Sequence, residues 1–445
     1  MFRLFSLSLI FLFFFAGKAP AAVFNPESFM LSNGMQVVVV TNRNAPIVFH
    51  MVWYRVGAAD EPAGASGIAH FLEHLMFKGT RDIPPGEFSK IVARNGGTDN
   101  AFTSQDFTAY FQKVARDRLE LVMKLEADRM TNLVLTDKEV LPERDVVLEE
   151  RSSRTDNNPG AQLYEAKQAA LYLNHPYRNP VIGWKHEIEK LNTEDALKFY
   201  RRFYAPNNAI LIVSGDIDAA ELKPLAEKYY GVIPRGPDIK RQRVDEPPHK
   251  AARRVSLSSP RVGQPSLTRT YIAPSYRTAG GNEAYALQIL ADILGGGARS
   301  RLYSALVVKD KLAASAGGWY DPSAYDLGEF GVSASPRGDV SLDRVEAAID
   351  EQLKLLIEKG VTAEEVKRSA RSLAASAVYA RDSVGAAPNI IGRALTTGQT
   401  LEDIEAWPER IMKVTPADVI AAAKKVFDLR NSVTSLLTPA AAKDR

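Results

Sequence analysis

The stretch NTEDALKFYRRFYAPNNAILIVSGDID, residues 192–218, runs from a predicted helix through a turn into a predicted strand. Thr193 marks the start of the helix, and Pro206-Asn207-Asn208 marks the turn. Much later, VTPADVIAAAKKVFDLRNSVTSLLTP, residues 414–439, repeats the same order of helix, turn and strand. The two segments lie about half the chain apart, which favours an old duplication into two related units. Helix–turn–strand segments are also common without duplication.

Strands and helices alternate through the first half of the chain. Val37–Val40 and Val48–Val56 are predicted strands, and Ser66–Phe77 has helical periodicity with Gly79 as a stop. Further helices are predicted at 88–94, 116–132 and 139–154, and a turn into β-rich sequence at 95–114. This alternation predicts the α+β class, with helices layered on sheets.

Residues 234–254 are rich in Pro, Arg and Lys and show no apolar period, so an exposed connection is predicted there. The predicted division is an N-terminal domain at 22–235, a linker at 236–254 and a C-terminal domain at 255–445. The alternative is one large domain with a surface loop at this place, which the total length disfavours.

The N-terminus has the pattern of an export signal. Arg3 supplies a positive charge, Leu4–Phe15 is a nearly unbroken apolar run, and Ala19-Pro20-Ala21 offers a cleavage site before Ala22. The apolar run is short for a membrane span, so we expect a cleaved signal peptide at 1–21 and a periplasmic protein, not an anchored one.

The bulk composition excludes several classes of protein and site. The chain has 445 residues, 45% hydrophobic and 24% charged, with a formal charge of +3. No basic field indicates nucleic-acid binding, and no acidic tract indicates a disordered tail. There is no cysteine, which excludes disulfides and thiolate metal sites. Any bound metal therefore needs His, Asp or Glu.

The stretch HFLEHLMFKGT, residues 70–80, places such side chains in apolar surroundings. On a helix, His70 and His74 lie one turn apart with Glu73 on the same side. Two such imidazoles can bind one zinc ion, and Glu73 can serve as a base toward water. The competing interpretation is a set of satisfied core polar residues, which the cost of burying unpaired polar groups disfavours.

A catalytic zinc usually has three protein ligands, and the third is predicted in PERDVVLEERSSR, residues 142–154. Glu143 and Glu150 are seven residues apart and share one helix face, whereas Glu149 lies about 100° away from Glu150. Either glutamate could also belong to an ordinary solvated helix face.

These motifs together resemble the pitrilysin-type M16 zinc metallopeptidase family, whose HxxEH order is the inverse of the common zinc motif. Other stretches agree with the family: LSNGMQVVVV (31–40), GGTDNAFTSQDFTAY (96–110), HPYRNPVIG (175–183) and ILGGGARSRLYSAL (293–306). The resemblance covers essentially the whole chain after the signal. It implies two related α/β sandwich domains of the LuxS/metallohydrolase-like M16 fold in a half-clamshell.

The resemblance also implies roles for individual residues. The implied ligands of one Zn2+ per chain are His70, His74 and Glu150. Glu73 is the implied catalytic base, and Glu143 is implied to orient a ligand histidine. Asn100 and Ala101 are implied to lie on an edge strand that takes up the peptide substrate.

One departure from the family concerns the C-terminal half, where active members carry an arginine and, seven residues later, a tyrosine. Val307 and Ala314 stand at those positions here. The resemblance therefore implies a zinc-dependent endopeptidase that hydrolyses unfolded peptides in a closed cavity as the catalytic subunit of a heterodimer. A second M16-like chain would supply the Arg/Tyr pair. The alternative is a non-catalytic assembly or binding subunit. No nucleic acid and no stable membrane anchor are expected.

Overall fold

The computed structural model describes residues 23–379 and 383–440 as two β-sheets with helices packed on them. The predicted signal peptide at 1–21 lies outside the described residues. Within the described ranges, none of the helices combines the length and the apolar character needed to cross a membrane.

The first sheet is built entirely from residues before the linker. Its strands are β1 Glu27–Met30, β2 Gln36–Thr41, β3 Ile47–Tyr54, β4 Thr98–Thr103, β5 Thr108–Ala115 and β6 Ala209–Gly215. The helices of this half are α1 Ile68–Leu75, α2 Glu87–Arg94, α3 Leu119–Thr131, α4 Asp137–Arg151, α5 Pro159–Leu171, α6 Lys185–Ile188, α7 Thr193–Phe203 and α8 Ala219–Tyr229. The strand order is β1-β2-β6-β3-β5-β4, so β4 is an edge strand.

The second sheet is built from residues after the linker. Its strands are β7 Arg253–Ser259, β8 Ser266–Pro274, β9 Ala313–Asp321, β10 Leu327–Pro336 and β11 Ser432–Pro439. The helices are α9 Glu283–Gly295, α10 Leu342–Lys359, α11 Ala363–Tyr379, α12 Ala386–Thr396, α13 Leu401–Met412 and α14 Pro416–Val426. The strand order is β7-β11-β8-β10-β9.

Apart from β1, which has no counterpart among the described strands of the second sheet, the two sheets share one topology. Strand β6 pairs in parallel with β2 and antiparallel with β3, and β11 pairs in the same way with β7 and β8. Each order then ends in a hairpin, β5-β4 in one sheet and β10-β9 in the other. The segments that echo each other in the sequence are α7–β6 and α14–β11, which occupy equivalent places. The predicted α+β class with two related units is confirmed.

Each sheet is covered on one face by a helix from the other half of the chain. Helix α12 packs on β3 and β6, whereas α5 packs on β7 and β11. Side chains alternate along a strand, so β2 gives Val37 and Val39 to one core and Val38 and Val40 to another. The second of these cores also contains Ile391 of α12. The two halves therefore share cores.

The connection between the halves differs from its prediction in one respect. Residues 236–252 contain no helix or strand, as expected of a linker. However, the side chains of Arg241 and Arg243 are only 8% and 6% exposed. Arg243 Nη2 lies 3.0 Å from carboxylate oxygens of both Asp60 and Asp106, so buried acids of the first half attract the linker inward.

Candidate metal centre

The helix that carries His70 begins at a close approach of two backbones. Its N-cap, Gly67, has a φ of 88°, a conformation that favours glycine. A Cβ at Gly67 would lie 2.5 Å from the carbonyl oxygen of Ile182, in the HPYRNPVIG loop. The carboxylate of Glu61 accepts from the backbone N–H groups of Gly67 and Ala69 at 2.9 Å each, which satisfies two free donors of the first turn.

Helix α1 is buried along almost its whole length. Phe71, Leu72 and Leu75 belong to the core of the first half, and His70 and Glu73 are 8% and 9% exposed. The helix packs against α4 and α7 and contacts the edge strand β4. The apolar residues of the motif therefore hold the helix in place, so that the polar residues meet α4 and β4.

Helix α4 begins with a capping box between Thr136 and Glu139. Its buried residues recur every three or four positions: Val140, Glu143, Val147 and Arg151. Glu150 lies beside this stripe, and Glu149 is exposed. The predicted difference between the two neighbouring glutamates is confirmed.

The two helices bring His70, His74 and Glu150 together. One potential ligand atom from each residue lies within 4.8 Å of the others. Nε2 of His74 is 3.2 Å from Oε2 of Glu150, and Nε2 of His70 is 3.7 Å from Oε1 of the same carboxylate. In tetrahedral zinc sites, bonds of about 2.0–2.2 Å place neighbouring ligand atoms about 3.3–3.6 Å apart. The three side chains thus have the spacing and the N/N/O chemistry that zinc requires.

The orientation of His74 is fixed from its other ring nitrogen. Nδ1 lies 2.9 Å from Oε1 of Glu143, and Lys78 forms an ion pair with the second oxygen of that carboxylate. Burial opposes ionisation of Glu143, but its bonds to His74 and Lys78 outweigh burial and lower its pKa. An ionised Glu143 accepts the Nδ1 proton and leaves Nε2 of His74 facing Glu150.

His70 is held as a neutral imidazole. Burial, together with the positive charges of His74 and Arg154, lowers the pKa of His70 to about 3. Its buried Nδ1 has no hydrogen-bond partner among the described residues. A neutral ring near neutral pH is the form that binds a metal through Nε2.

Glu73 is held by the edge strand. The hydroxyl of Thr103, the last residue of β4, donates to Oε2 of Glu73 at 2.6 Å. Burial raises the pKa of Glu73, while the Thr103 bond and the charge of His74 oppose that rise. A carboxylate with a raised pKa accepts a proton more readily than an exposed one.

The predicted substrate strand is an edge strand, but one of its amides already has a partner. The backbone N–H of Ala101 donates to the side-chain oxygen of Asn100 at 2.9 Å. Asn100 is exposed, and β4 pairs only with β5 among the described strands. The Asn100 side chain therefore covers one backbone donor of the strand to which a peptide would add.

A cavity of about 440 Å³ begins one residue beyond Thr103 and lies between the two halves. Ser104, Thr155 and Tyr164 line it from the first half, and Trp319 and Glu329 line it from the second. Tyr164 is 58% exposed and Trp319 is 38% exposed, so both rings offer open apolar surface.

The two positions that depart from the family pattern lie in the second half. Val307 is buried in the core of that half, on a π-helical segment at Tyr303–Lys309. Ala314 is exposed on the edge strand β9. Neither side chain can donate a hydrogen bond to a substrate.

Besides Thr103 and Lys78, two further residues that hold the centre together were not predicted from the sequence. Arg151 donates to both carboxylate oxygens of Glu165 on α5, at 2.8 and 2.9 Å, and to the carbonyl oxygen of Gly183 at 2.8 Å. It thereby ties the end of α4 to the loop against which α1 begins. Glu61 is the other, and the only signal for it was an acidic residue shortly before a predicted helix.

Comparison with known families assigns both halves of the chain. Residues 36–185 match the model for "Insulinase (Peptidase family M16)", and residues 190–373 match "Peptidase M16 inactive domain". The zinc protease PqqE of Helicobacter pylori is 31% identical over 98% of each chain. This chain belongs to peptidase family M16. The candidate centre lies wholly within 36–185, outside the region that matches the model of the inactive domain.

Other similar proteins show how the chain relates to longer ones. A protein of Streptomyces coelicolor named as an uncharacterized zinc protease is 30% identical over 91% of this chain and 88% of its own. A crystal structure of a protease from H. pylori superposes with a TM-score of 0.86 at 31% identity, covering 93% of this chain and 99% of that one. The periplasmic protease PqqL of Escherichia coli shares the fold, with a TM-score of 0.81 at 18% identity. The match covers 93% of this chain but only 47% of PqqL.

Proposed function

We propose that this chain is a zinc-dependent endopeptidase acting on peptides or unfolded polypeptides. The observation that carries the proposal is the convergence of His70, His74 and Glu150. Glu73 lies on the same helix as the two histidines and accepts a hydrogen bond from Thr103 of the edge strand. Membership of family M16 and relatives named as zinc proteases support it. In this proposal the three converging residues bind one zinc ion.

When bound, zinc supplies Lewis acidity that lowers the pKa of water toward about 7 and polarises a carbonyl oxygen. Glu143 holds His74 in the tautomer that leaves Nε2 free. Glu73 takes the proton of the attacking water and passes it to the leaving amine, a double role suited to a buried carboxylate with a raised pKa. Thr103 bonds only one oxygen of Glu73 and leaves the other for the proton.

The substrate would add to the edge strand β4 at Asn100 and Ala101. A peptide in extended form makes main-chain hydrogen bonds along such an edge, and its alternate side chains enter neighbouring pockets. The cavity that begins beside Thr103 is one such place. Because Asn100 covers the amide of Ala101, we expect its side chain to move aside or bond the peptide backbone.

The test uses the mature chain and three variants, with hydrolysis measured in the presence of the partner chain proposed below. Glu73→Gln should retain zinc and lose peptide hydrolysis, because glutamine keeps the shape but cannot take a proton. Glu150→Gln should lose zinc, whereas Glu149→Gln, one residue away on an exposed face, should keep both zinc and activity. Zinc is measured by metal analysis after gentle purification, and hydrolysis with a quenched fluorescent peptide. Near-normal activity of Glu73→Gln would refute its role, and a zinc-free wild type would favour the non-catalytic assembly subunit.

We also propose that the active enzyme is a heterodimer with a second M16-like chain. Val307 and Ala314 cannot supply the arginine and tyrosine of active family members, and PqqL, which shares the fold, is about twice as long as this chain. The partner would carry the Arg/Tyr pair and help close the cavity. Hydrolysis by this chain alone, compared with hydrolysis after addition of a similar chain from an adjacent gene, tests this. Full activity of the chain alone would refute it.

Export to the periplasm completes the proposal, on the strength of the N-terminal pattern at 1–21. Sequencing the N-terminus of the protein recovered from a periplasmic fraction tests it, with Ala22 as the expected first residue.

A further inference from the structure

A charged side chain outside the proposed ligand set touches the metal centre. Nη1 of Arg154 lies 2.5 Å from Oε1 of Glu150. Arg154 follows Glu150 by four residues and lies within the π-helical segment Ser152–Asp156 that continues α4, and the two side chains still meet. Glu150 is the only carboxylate with which Arg154 forms an ion pair in the described ranges.

The two ends of this ion pair lie in different surroundings. The Arg154 side chain is 72% exposed, whereas that of Glu150 is only 15% exposed and faces both histidines. The guanidinium therefore covers the carboxylate from the solvent side. An ordinary exposed pair at this spacing would leave both groups free to move, and it would contribute little.

A second cation contacts the carboxylate that holds His74. Lys78 follows His74 by four residues and pairs with Glu143. Each glutamate that contacts a histidine of the centre thus has its own cation, supplied one helical turn after a predicted ligand. Such cations restrict the rotamers of the two glutamates before a metal binds. Less side-chain entropy is then lost when metal binding orders the carboxylates.

We infer that Arg154 is a positioning residue that holds the carboxylate of Glu150 toward His70 and His74. The inference rests on the proposed function, because it assigns Arg154 a task toward the metal bound by Glu150. Groups that orient metal ligands from outside typically contribute 10–100-fold to metal affinity. Without Arg154, the carboxylate can turn to solvent, and binding must order it again.

The experiment measures the zinc dissociation constant of the full mature chain by competition with a chromogenic chelator. Arg154→Gln should weaken zinc binding by roughly 10–100-fold, and Arg154→Lys should restore it to within a few-fold of wild type. Lys138→Gln, which removes one exposed positive charge at the start of the same helix, should leave the affinity unchanged. The thermal midpoint of the chelator-treated protein should be the same in all variants, because Arg154 is exposed.

Each alternative result has one meaning. Wild-type affinity in Arg154→Gln would overturn the inference, and so would tighter binding, which would identify Arg154 as a cation that competes with zinc. Neither of these two results contradicts the proposed function, provided that His70→Ala loses zinc in the same assay. If the wild type binds no zinc, the proposed function and the inference fail together. If Arg154→Gln weakens zinc binding and Arg154→Lys does not restore it, the role of Arg154 in positioning Glu150 is overturned.

Discussion

Replacing Gly392 with alanine tests how closely the two halves of the chain are packed. Gly392 lies in α12, the helix of the second half that packs on the first sheet. A Cβ at this position would lie 2.0 Å from Cε2 and 2.3 Å from Nε1 of the Trp53 indole. Trp53 is 1% exposed and packs against Phe102 and Phe107 at ring-centroid distances of 5.4 and 5.0 Å. The indole therefore has no free space into which to move.

Helix propensity and packing predict opposite signs for this substitution. In a helix interior, alanine is favoured over glycine by about 1 kcal/mol. Overpacking of a close-packed core costs about 1–3 kcal/mol. The new Cβ would lie 2.0 Å from an indole carbon, where an ordinary contact is 3.4 Å or more, so we expect a cost near the upper end of this range. We expect Gly392→Ala to lower the free energy of unfolding by about 1–2 kcal/mol.

Urea unfolding followed by circular dichroism measures the effect, because it reports on both halves. Gly280→Ala is the matched control, since its Cβ would meet no atom within 4 Å. In a Trp53→Leu background the cost of Gly392→Ala should shrink, and a double-mutant cycle gives the coupling. A Gly392→Ala variant that is at least as stable as wild type would contradict the close contact between α12 and the first sheet.

Two further predictions concern single ion pairs. Glu143→Gln should weaken zinc binding by up to roughly 10–100-fold, because it replaces the carboxylate that orients His74 and pairs with Lys78 by a neutral amide, a weaker hydrogen-bond acceptor; an unchanged dissociation constant in a chelator competition would contradict this. Arg301 donates to both oxygens of Glu365 at 2.8 Å and lowers the pKa of that carboxyl to about 2. This stabilisation is complete above about pH 4.5 and is lost as the pH falls toward 2. Arg301→Met should therefore be less stable than wild type by about 1 kcal/mol at pH 7, allowing for solvent screening. The difference measured by urea unfolding should shrink as the pH falls through about 2, down to what the bond from Arg301 to the carbonyl oxygen of Gly360 contributes at every pH.

Local patterns in the sequence were sufficient for the elements that carry the centre. The helix at α1 and the shared face of Glu143 and Glu150 follow from a periodicity of 3.6 residues, which depends only on neighbours along the chain. The strand after Asn208 follows from a turn and an unbroken apolar run. These features are local, and the structure contains them.

Features that depend on distant parts of the chain had no such signal. The exchange of α5 and α12 between the halves joins residues more than eighty positions apart, and an apolar face of a helix does not specify which sheet it covers. The arginines of the linker were predicted to be exposed by composition alone. They are buried because Asp60 and Asp106, far away in the sequence, lie opposite Arg243.

The duplicated topology separates what the fold contributes to the centre from what the side chains contribute. Helices α9 and α11 occupy in the second half the places of α1 and α4 in the first, and they likewise pack against each other. Yet neither α9 nor α11 contains a histidine. One arrangement of strands and helices thus occurs twice in this chain, once with the side chains that we propose to bind metal and once without them. The copy without them lines the cavity between the halves through Trp319 and Glu329, and we propose a similar part for the partner chain.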